Sequence, residues 1–245
     1  MIRYSEFIGK VVVVSGAASG IGQAQTEAFL AQGATVIGLD QQSMKKTDDF
    51  FPYQVDLSEK SQVENTVKNI LKRYPHVDIL INTAGILDEY LPTLSTPEEL
   101  WMKVFQTNVT SIYRLTNLFL PKMLERKTGV IVNMASIAGL IAGGGGAAYT
   151  MAKHAVVGYT KQLALDYAKE GIRVNALAPG AIKTPMNAAD FAGDGAMAEW
   201  VAKETPMNRW AKPQEVANAT LFLASEGASY LQGVVLPVDG GWMLK

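Results

Sequence analysis

The chain has 245 residues, of which 48% are apolar and 18% are charged, and its formal net charge is -1. This length and composition predict a single domain with a large core, and the balanced charge argues against a nucleic-acid partner. The sequence has no cysteine, and its only histidines are His76 and His154, so disulfides and thiolate ligands are excluded and no metal site is expected.

Two segments bear on where the protein resides. The first ten residues lack an apolar stretch followed by a small-residue cleavage site, and the missing disulfides fit a reducing compartment, so we expect a cytoplasmic protein. Residues 129–152 carry no charge and are long enough to raise the question of a membrane span. They include Asn133, Ser136 and four consecutive glycines, which suit a spanning helix poorly, so no membrane association is expected.

Six short β-branched runs alternate with amphipathic helical stretches along the chain. Most runs are apolar at nearly every position, which is typical of strands buried on both faces of a parallel sheet. The pattern predicts an α/β fold, a Rossmann-type doubly wound parallel sheet flanked by helices, in a single domain over residues 1–245. The predicted strands cover residues 11–15, 35–40, 77–82, 129–136, 172–179 and 234–241.

A glycine-rich stretch, SGAASGIG at residues 15–22, follows the first predicted strand and opens a helix. Glycine lets the backbone turn sharply and approach a pyrophosphate, and the free N–H groups of a helix N-terminus favour its charge. A glycine-rich turn alone is a weak signal, because any tight strand-to-helix turn can use glycine. Asp40 strengthens it, because a carboxylate at the end of the second strand can accept hydrogen bonds from both ribose hydroxyls of NAD and repel the 2′-phosphate of NADP.

Later elements are marked by local signals. Residues 96–99 (TPEE) and 212–215 (KPQE) each place a proline at the start of a predicted helix, with a glutamate in its first turn. Residues 184–210 are rich in glycine, alanine and aromatic residues, so we expect a substrate lid there. Pro237 cannot donate to a strand ladder, which predicts that the last strand lies at an edge or exposes that position.

Five segments in order make the chain resemble the short-chain dehydrogenase/reductase family over essentially its full length. Residues 15–22 are similar to that family's Thr-Gly-x-x-x-Gly-x-Gly motif, with serine in place of threonine, and residues 82–85 (NTAG) are similar to Asn-Asn-Ala-Gly. Asp56-Leu57 resembles the pair beside the adenine, and residues 179–184 resemble the segment beside the nicotinamide. The resemblance implies NAD as cofactor and a homotetramer. It also implies these cofactor-binding residues: Gly16, Ser19, Gly20, Ile21, Gly22, Asp40, Asp56, Leu57, Asn82, Ala84, Gly85, Tyr149, Lys153, Pro179, Gly180, Ile182 and Thr184.

The same resemblance implies a catalytic set of Asn108, Ser136, Tyr149 and Lys153. Hydride transfer requires a proton to move on or off the substrate oxygen, and Tyr149 is the candidate for that step. A phenol has an ordinary pKa of about 10, and Lys153 one helical turn on, with the positive nicotinamide, is expected to favour its ionised form. Ser136 is expected to hydrogen-bond the substrate oxygen, and Asn108 to hold a water that links Lys153 to solvent.

Two features bear on the substrate, a small-molecule alcohol or ketone. The connection from Asp40 to Asp56 leaves little room for the usual second helix, which makes the chain similar to dihydrodiol-acid dehydrogenases. An apolar lid over a glycine-lined pocket favours a hydrophobic secondary alcohol or ketone over a sugar, with Met186, Phe191, Met197, Trp200, Met207 and Trp210 as the candidate lid residues. A 3-oxoacyl-[acyl-carrier-protein] reductase is an alternative, although such enzymes resemble NADPH users and Asp40 argues against it. A nucleotide-sensing scaffold without turnover is the alternative outside enzymes.

Overall fold

The fold is described for residues 3–244 of a computed structural model of the chain. Seven strands form one parallel sheet in the order β3-β2-β1-β4-β5-β6-β7. After β3 the chain returns to the other side of β1, where β4 and the later strands are added in turn. This change of direction makes the sheet doubly wound, as the sequence predicts. The strands are β1 Val11–Ser15, β2 Thr35–Asp40, β3 Phe50–Gln54, β4 Ile79–Asn82, β5 Gly129–Met134, β6 Ile172–Pro179 and β7 Val235–Val238.

Helices cover both faces of this sheet. The α-helices are α1 Gly20–Ala31, α2 Lys60–Arg73, α3 Glu98–Phe105, α4 Ser111–Arg126, α5 Ala147–Tyr167, α6 Ala196–Glu204 and α7 Pro213–Ala224. Valines of β1 show why the strands are apolar throughout: Val12 and Val14 belong to the core cluster that contains α1 and α7 residues. Val13 belongs to the cluster on the opposite face, which contains residues of α2, α4 and α5. Alternate residues of one strand therefore fill two separate cores.

Two helix starts follow the sequence signals. Helix α3 begins directly after Pro97 and carries Glu98 and Glu99 in its first turn. Helix α7 begins at Pro213, and the Glu215 carboxylate accepts the N–H of Lys212 at 2.8 Å. In α7 the glutamate satisfies a free N–H group, and in both helices acidic side chains in the first turn interact favourably with the positive end of the helix dipole.

The edge of the sheet that β3 forms differs from the sequence prediction. Strand β3 was not predicted, since Pro52 and the polar residues around it break the β-branched pattern. No helix lies between β2 and β3, as the short connection predicts. At the other edge, β7 pairs only with β6, so the expectation drawn from Pro237 is confirmed.

The uncharged segment 129–152 is divided among several elements. It forms β5, a single turn of 3-10 helix at Ile137–Gly139, a glycine-rich loop and the start of α5. Within residues 3–244, no helix has the length and apolar character needed to cross a membrane. The apolar character of this segment therefore reflects burial in the protein core.

Candidate active site

One cavity of about 330 Å³ opens along the carboxyl ends of the strands, where ligands of open α/β sheets collect. It runs from the first strand-to-helix turn, past the end of β2, to the start of α5. Most of the residues implied by the family resemblance line it: Gly16, Ser19, Gly20, Ile21, Gly22, Asp40, Asp56, Leu57, Ala84, Gly85, Ser136, Tyr149, Lys153, Pro179, Gly180, Ile182 and Thr184.

The turn after β1 forms a close-fitting cradle. A Cβ atom added to Gly22 would lie 2.0 Å from the Gly16 carbonyl oxygen, so only glycine fits there. Gly16 has a φ of +72°, and a Cβ at that position would lie 2.9 Å from the Ala84 Cα. The Ser15 hydroxyl accepts the N–H groups of Thr83 and Ala84 at 3.0 and 3.2 Å, so serine keeps the hydrogen bonds expected of threonine at this position. A bare backbone turn at a helix N-terminus fits the pyrophosphate of a dinucleotide.

Asp40 lies at the end of β2 with its carboxylate held from two sides. One oxygen accepts the N–H of Ala18 at 3.0 Å and the other accepts the N–H of Gln42 at 2.9 Å. The residue is 8% exposed and lines the cavity beside Gln41 and Gln42. No lysine or arginine lines this end of the cavity among the described residues, because Lys103 and Lys153, the basic residues of the lining, come from α3 and α5.

Tyr149 and Lys153 lie on one face of α5, as their spacing predicts. The Lys153 ammonium is 5.4 Å from the centre of the Tyr149 ring and donates to the Met134 carbonyl oxygen at 2.8 Å. Burial lowers the pKa of Lys153 to about 8. Burial also raises the pKa of Tyr149 to about 12, although a hydrogen bond with Ser136 acts in the opposite direction. Desolvation of the phenol therefore opposes the ionised form that Lys153 and a bound nicotinamide are expected to favour.

Ser136 follows β5 and begins a turn of 3-10 helix. Its hydroxyl oxygen accepts the Ala138 N–H at 3.1 Å and lies 3.5 Å from the Pro179 carbonyl oxygen. The residue is 7% exposed and lines the cavity next to Tyr149. This serine therefore caps a helical turn and presents its hydroxyl to the cavity at the same time.

Asn108 lies in a turn of π-helix, Gln106–Thr110, between α3 and α4. Its side-chain amide is paired twice with the backbone of Ile86: the oxygen accepts the N–H at 2.8 Å, and the nitrogen donates to the carbonyl at 2.9 Å. Asn108 is fully buried and is not part of the cavity lining. Its side chain thus fixes the loop after β4. Rare π-helical turns are frequent at functional sites.

Asn82 is the other implied residue that lies outside the cavity lining. It is 1% exposed, and its amide donates to the Asn133 side chain at 2.9 Å. Asn133 in turn donates to the Thr160 hydroxyl at 3.0 Å. This chain of side-chain hydrogen bonds joins β4, β5 and α5 beneath the site.

The loop before α5 approaches its neighbours closely. A Cβ on Gly145 would lie 2.5 Å from Cδ1 of the Tyr149 ring. A Cβ on Gly146 would lie 2.6 Å from both the Asp88 carboxylate and the Leu91 carbonyl oxygen. These two glycines allow contacts that any larger residue would block.

Several cavity residues were not predicted from the sequence. They are Thr83, Ile86, Leu87, Tyr90, Lys103, Thr107 and Asn187 among others, whereas Gly144 belongs to the glycine run expected in the pocket wall. Of the six expected lid residues, Met186 lines the cavity. Phe191 and Trp210 pack on each other with ring centres 4.8 Å apart, and Met197, Trp200 and Met207 are exposed. The 184–210 segment itself consists of a 3-10 stretch, Pro185–Phe191, followed by α6.

The chain is similar to known proteins in both sequence and structure. The family model described as Enoyl-(Acyl carrier protein) reductase matches residues 16–243. A 3-oxoacyl-[acyl-carrier-protein] reductase of Thermotoga maritima is 37% identical over 246 residues, which cover 96% of this chain and 98% of that protein. The ligand-free structure of Thermoplasma acidophilum aldohexose dehydrogenase superposes with a TM-score of 0.92 at 34% identity, covering 99% of this chain and 97% of that one. A 4-hydroxyisoleucine dehydrogenase complexed with NADH gives a TM-score of 0.91 at 34% identity, covering 97% of this chain and 100% of that one.

Proposed function

Because the chain belongs to the short-chain dehydrogenase/reductase family, a family of oxidoreductases that bind a nicotinamide dinucleotide, we propose that it interconverts a secondary alcohol and a ketone with NAD(H). The observation that carries this proposal is the single cavity, in which the glycine cradle and Asp40 adjoin Ser136, Tyr149 and Lys153. The cradle fits a dinucleotide, and the three side chains supply what proton transfer to a carbonyl oxygen requires.

A nicotinamide dinucleotide held by the glycine cradle and Asp40 would supply the chemistry of hydride transfer to or from the substrate carbon. The Tyr149 phenol gives a proton to the substrate oxygen when a ketone is reduced, and takes one when an alcohol is oxidised. The Ser136 hydroxyl, at the mouth of the same cavity, hydrogen-bonds that oxygen as charge develops on it. With its pKa raised to about 12, Tyr149 holds its proton at neutral pH, which suits the acid role in ketone reduction.

Lys153 contributes a positive charge at the base of this arrangement. Its pKa, lowered by burial to about 8, leaves it largely protonated at neutral pH. It lies close enough to the phenol to stabilise a negative charge that develops there during alcohol oxidation. The family resemblance also implies that Lys153 binds the nicotinamide ribose.

The residues at the carboxyl end of β2 support our proposal that the protein prefers NAD to NADP. Asp40 offers an anion that is fixed by two backbone N–H groups, and the neighbouring lining residues Gln41 and Gln42 carry no charge. A 2′-phosphate in this position would meet a carboxylate, and the lining residues beside it, Gln41 and Gln42, supply no cation.

The substrate part of the cavity supports a small neutral molecule. Beyond Ser136 and Tyr149, the lining combines the apolar side chains of Ile86, Leu87 and Met186 with the polar groups of Tyr90 and Asn187. Such a mixed wall fits an apolar alcohol or ketone with a second hydrogen-bonding group. We also propose that the 184–210 segment acts as a substrate lid, because Met186 and Asn187 come from it.

A 3-oxoacyl-[acyl-carrier-protein] reductase is the second candidate, because the relative of that name is 37% identical over nearly the whole chain. The dihydrodiol-acid alternative rests on the short, helix-free connection between β2 and β3. Both alternatives share the chemistry of the leading proposal and differ from it in substrate. The names of the three relatives reported above already differ in substrate, so the choice depends on measurement.

The test is a substrate panel of secondary alcohols, ketones, dihydrodiol acids and 3-oxoacyl thioesters, each assayed by nicotinamide absorbance with NAD and NADP cofactors side by side. We expect turnover with NAD(H) on an apolar alcohol–ketone pair. Preferred turnover of a 3-oxoacyl thioester with NADPH would select the second candidate, and no turnover with any pair would refute the proposal. Sedimentation of the same sample tests the homotetramer that the family resemblance implies, which a monomer at micromolar concentration would exclude.

A further inference from the structure

The N-terminus of α5, which carries Tyr149, has no capping side chain of its own. Its N-cap residue is Gly146, and Tyr149 occupies the N3 position. The first four N–H groups of an α-helix have no partner within the helix; here they belong to residues 146–149. In a capping box, an N-cap serine or threonine and an N3 glutamate satisfy two of these donors. In α5 these two positions are occupied by Gly146 and Tyr149 instead.

Asp88 lies on a loop 58 residues before Gly146, and its side chain replaces both side chains of that capping box. One carboxylate oxygen accepts the Gly146 N–H at 2.8 Å, and the other accepts the Tyr149 N–H at 2.8 Å. These are the N-cap and N3 donors. The Leu91 carbonyl oxygen accepts the Ala147 N–H at 3.2 Å, so the loop satisfies three of the four free donors. The Asp88 side chain is fully buried, and its negative charge lies at the positive end of the helix dipole.

The residues of α5 explain why the cap comes from outside the helix. N3 is occupied by Tyr149, so a glutamate at that position is incompatible with the proposed chemistry. A side chain at Gly146 would overlap the Asp88 carboxylate and the Leu91 backbone, both of which lie within 2.7 Å of its Cβ position. Glycine at the N-cap position therefore leaves space for the Asp88 carboxylate, which takes the place of an N-cap side chain.

The loop that presents Asp88 is held in an unusual backbone conformation. Glu89 and Tyr90, the next two residues, both have a φ of +58°, in the left-handed region that non-glycine residues rarely adopt. This turn brings the Asp88 side chain and the Leu91 carbonyl to the same helix end. Strained backbone of this kind persists where surrounding contacts hold it, and it is concentrated at functional sites.

We propose that Asp88 is a positioning residue for the reaction: it caps α5 from the loop after β4 and thereby fixes the Tyr149 phenol at the reacting position. The inference rests on the proposed function for the role of the phenol, whereas the capping contacts are independent of it. It also gives Asp88 an electrostatic effect on proton transfer, because the carboxylate accepts the backbone N–H of the residue that carries the phenol.

Four groups act on the charge state of Tyr149. Ser136 hydrogen-bonds the phenol and lowers its pKa, whereas the neighbouring Tyr90 and Asp88 raise it, and Lys153 approaches the ring from the next turn of α5. Removing the Asp88 charge should therefore let Tyr149 ionise at lower pH.

The test uses Asp88→Asn, which keeps the shape of the side chain but loses the charge and one of the two acceptors. We expect kcat for ketone reduction to fall by ~10–100-fold, the loss typical of a slightly misplaced reacting group, with the Kd for NADH unchanged. The decline of kcat at high pH should also move to lower pH. Gly146→Ala keeps the charge but forces the loop and helix apart, so its kcat should fall without that move in the pH profile.

Asp78→Asn is the matched control. Asp78 is also a buried aspartate that accepts a backbone N–H, from Val11 at 2.9 Å, but it precedes β4 at the opposite end of the sheet. Its loss should lower the melting temperature and leave kcat and the pH profile unchanged. If Asp88→Asn lowers kcat no more than Asp78→Asn does, or leaves the pH profile in place, the proposal is wrong.

Two measurements need no turnover and so separate this proposal from the proposed function. Amide hydrogen exchange at Tyr149 should accelerate in Asp88→Asn and in Gly146→Ala. The ultraviolet titration of the Tyr149 phenol, taken as the difference from Tyr149→Phe, should move to lower pH in Asp88→Asn. Unchanged exchange and titration would overturn the role of Asp88 even if no substrate had been found, whereas the expected changes in a protein without turnover would refute the proposed function alone.

Discussion

Replacing Asp40 by alanine and Gln41 by arginine should shrink or reverse the preference for NAD over NADP that we propose. In the wild type, the Asp40 carboxylate is fixed by the N–H groups of Ala18 and Gln42. In the double variant the carboxylate is gone, so both N–H groups become free to donate to a 2′-phosphate. The new guanidinium at position 41, in the cavity lining, adds a cation with matching geometry.

The size of the wild-type preference follows from the charges. A carboxylate and a phosphate about 4 Å apart repel each other by about 4 kcal/mol at the effective dielectric constant of a protein surface. Lys46, on the loop after β2, lies over the Phe51 ring at 5.2 Å and could offset part of this repulsion. We therefore expect kcat/KM to favour NAD by at least ~10²-fold, which corresponds to about 2.7 kcal/mol at 1.36 kcal/mol per decade.

The assay is steady-state kinetics with both cofactors at one ionic strength, on the wild type, the double variant and two controls. Gln41→Arg alone keeps the carboxylate and should shift the preference less than the double variant. Asp48→Ala removes an exposed acid from the same loop and should leave the preference unchanged. Equal use of NADP by the wild type would refute the role of Asp40 and favour the 3-oxoacyl reductase alternative.

Three further predictions concern α5 and the loop before it. Tyr149→Phe should keep the fold and cofactor binding, and lower kcat by ~10²–10⁴-fold, because it deletes only the group that transfers the proton; wild-type turnover would exclude Tyr149 from the reaction. Gly145→Ala should lower kcat and leave the Kd for NADH unchanged, because the new methyl group would overlap the Tyr149 ring; equal kcat values would show that the ring can move freely. Burial lowers the pKa of Lys153 to about 8. Below that pH the folded protein holds a buried positive charge, which lowers the free energy of unfolding by about 3 kcal/mol. The free energy of unfolding should therefore rise as pH increases from about 8 toward the ordinary lysine pKa. Lys153→Met should therefore raise the free energy of unfolding at pH 7 and abolish that rise, as measured by denaturant titration at several pH values; an unchanged pH dependence would contradict the assignment to Lys153.

The sequence predicts those parts of the molecule whose cause is local. Runs such as β1 are apolar because both faces are buried, and the turn at residues 15–22 needs glycine because Gly16 and Gly22 are in contact. Strand β3 escapes prediction because an edge strand needs no continuous apolar pattern and accepts Pro52.

The role of Asp88 escapes prediction for a different reason. It depends on contact with a helix end that is 58 residues further along the chain. It also depends on left-handed backbone at Glu89 and Tyr90, residue types that do not favour that conformation. The pairing of the Asn108 side chain with the backbone of Ile86 likewise escapes prediction, because nothing in the sequence indicates it.

The two edge strands share a feature whose consequence concerns association. At the two ends of β3, the Asp49 carbonyl and the Val55 N–H form hydrogen bonds toward β2. Because backbone groups alternate in direction along a strand, the backbone of Pro52 points away from the sheet. In β7, Val234 and Val238 bond toward β6, and Pro237 points outward in the same way. Each free edge therefore lacks an N–H at its centre, where another chain would have to extend the ladder. Both free edges therefore disfavour strand pairing with another copy, so if copies associate we expect them to use surfaces other than the sheet edges.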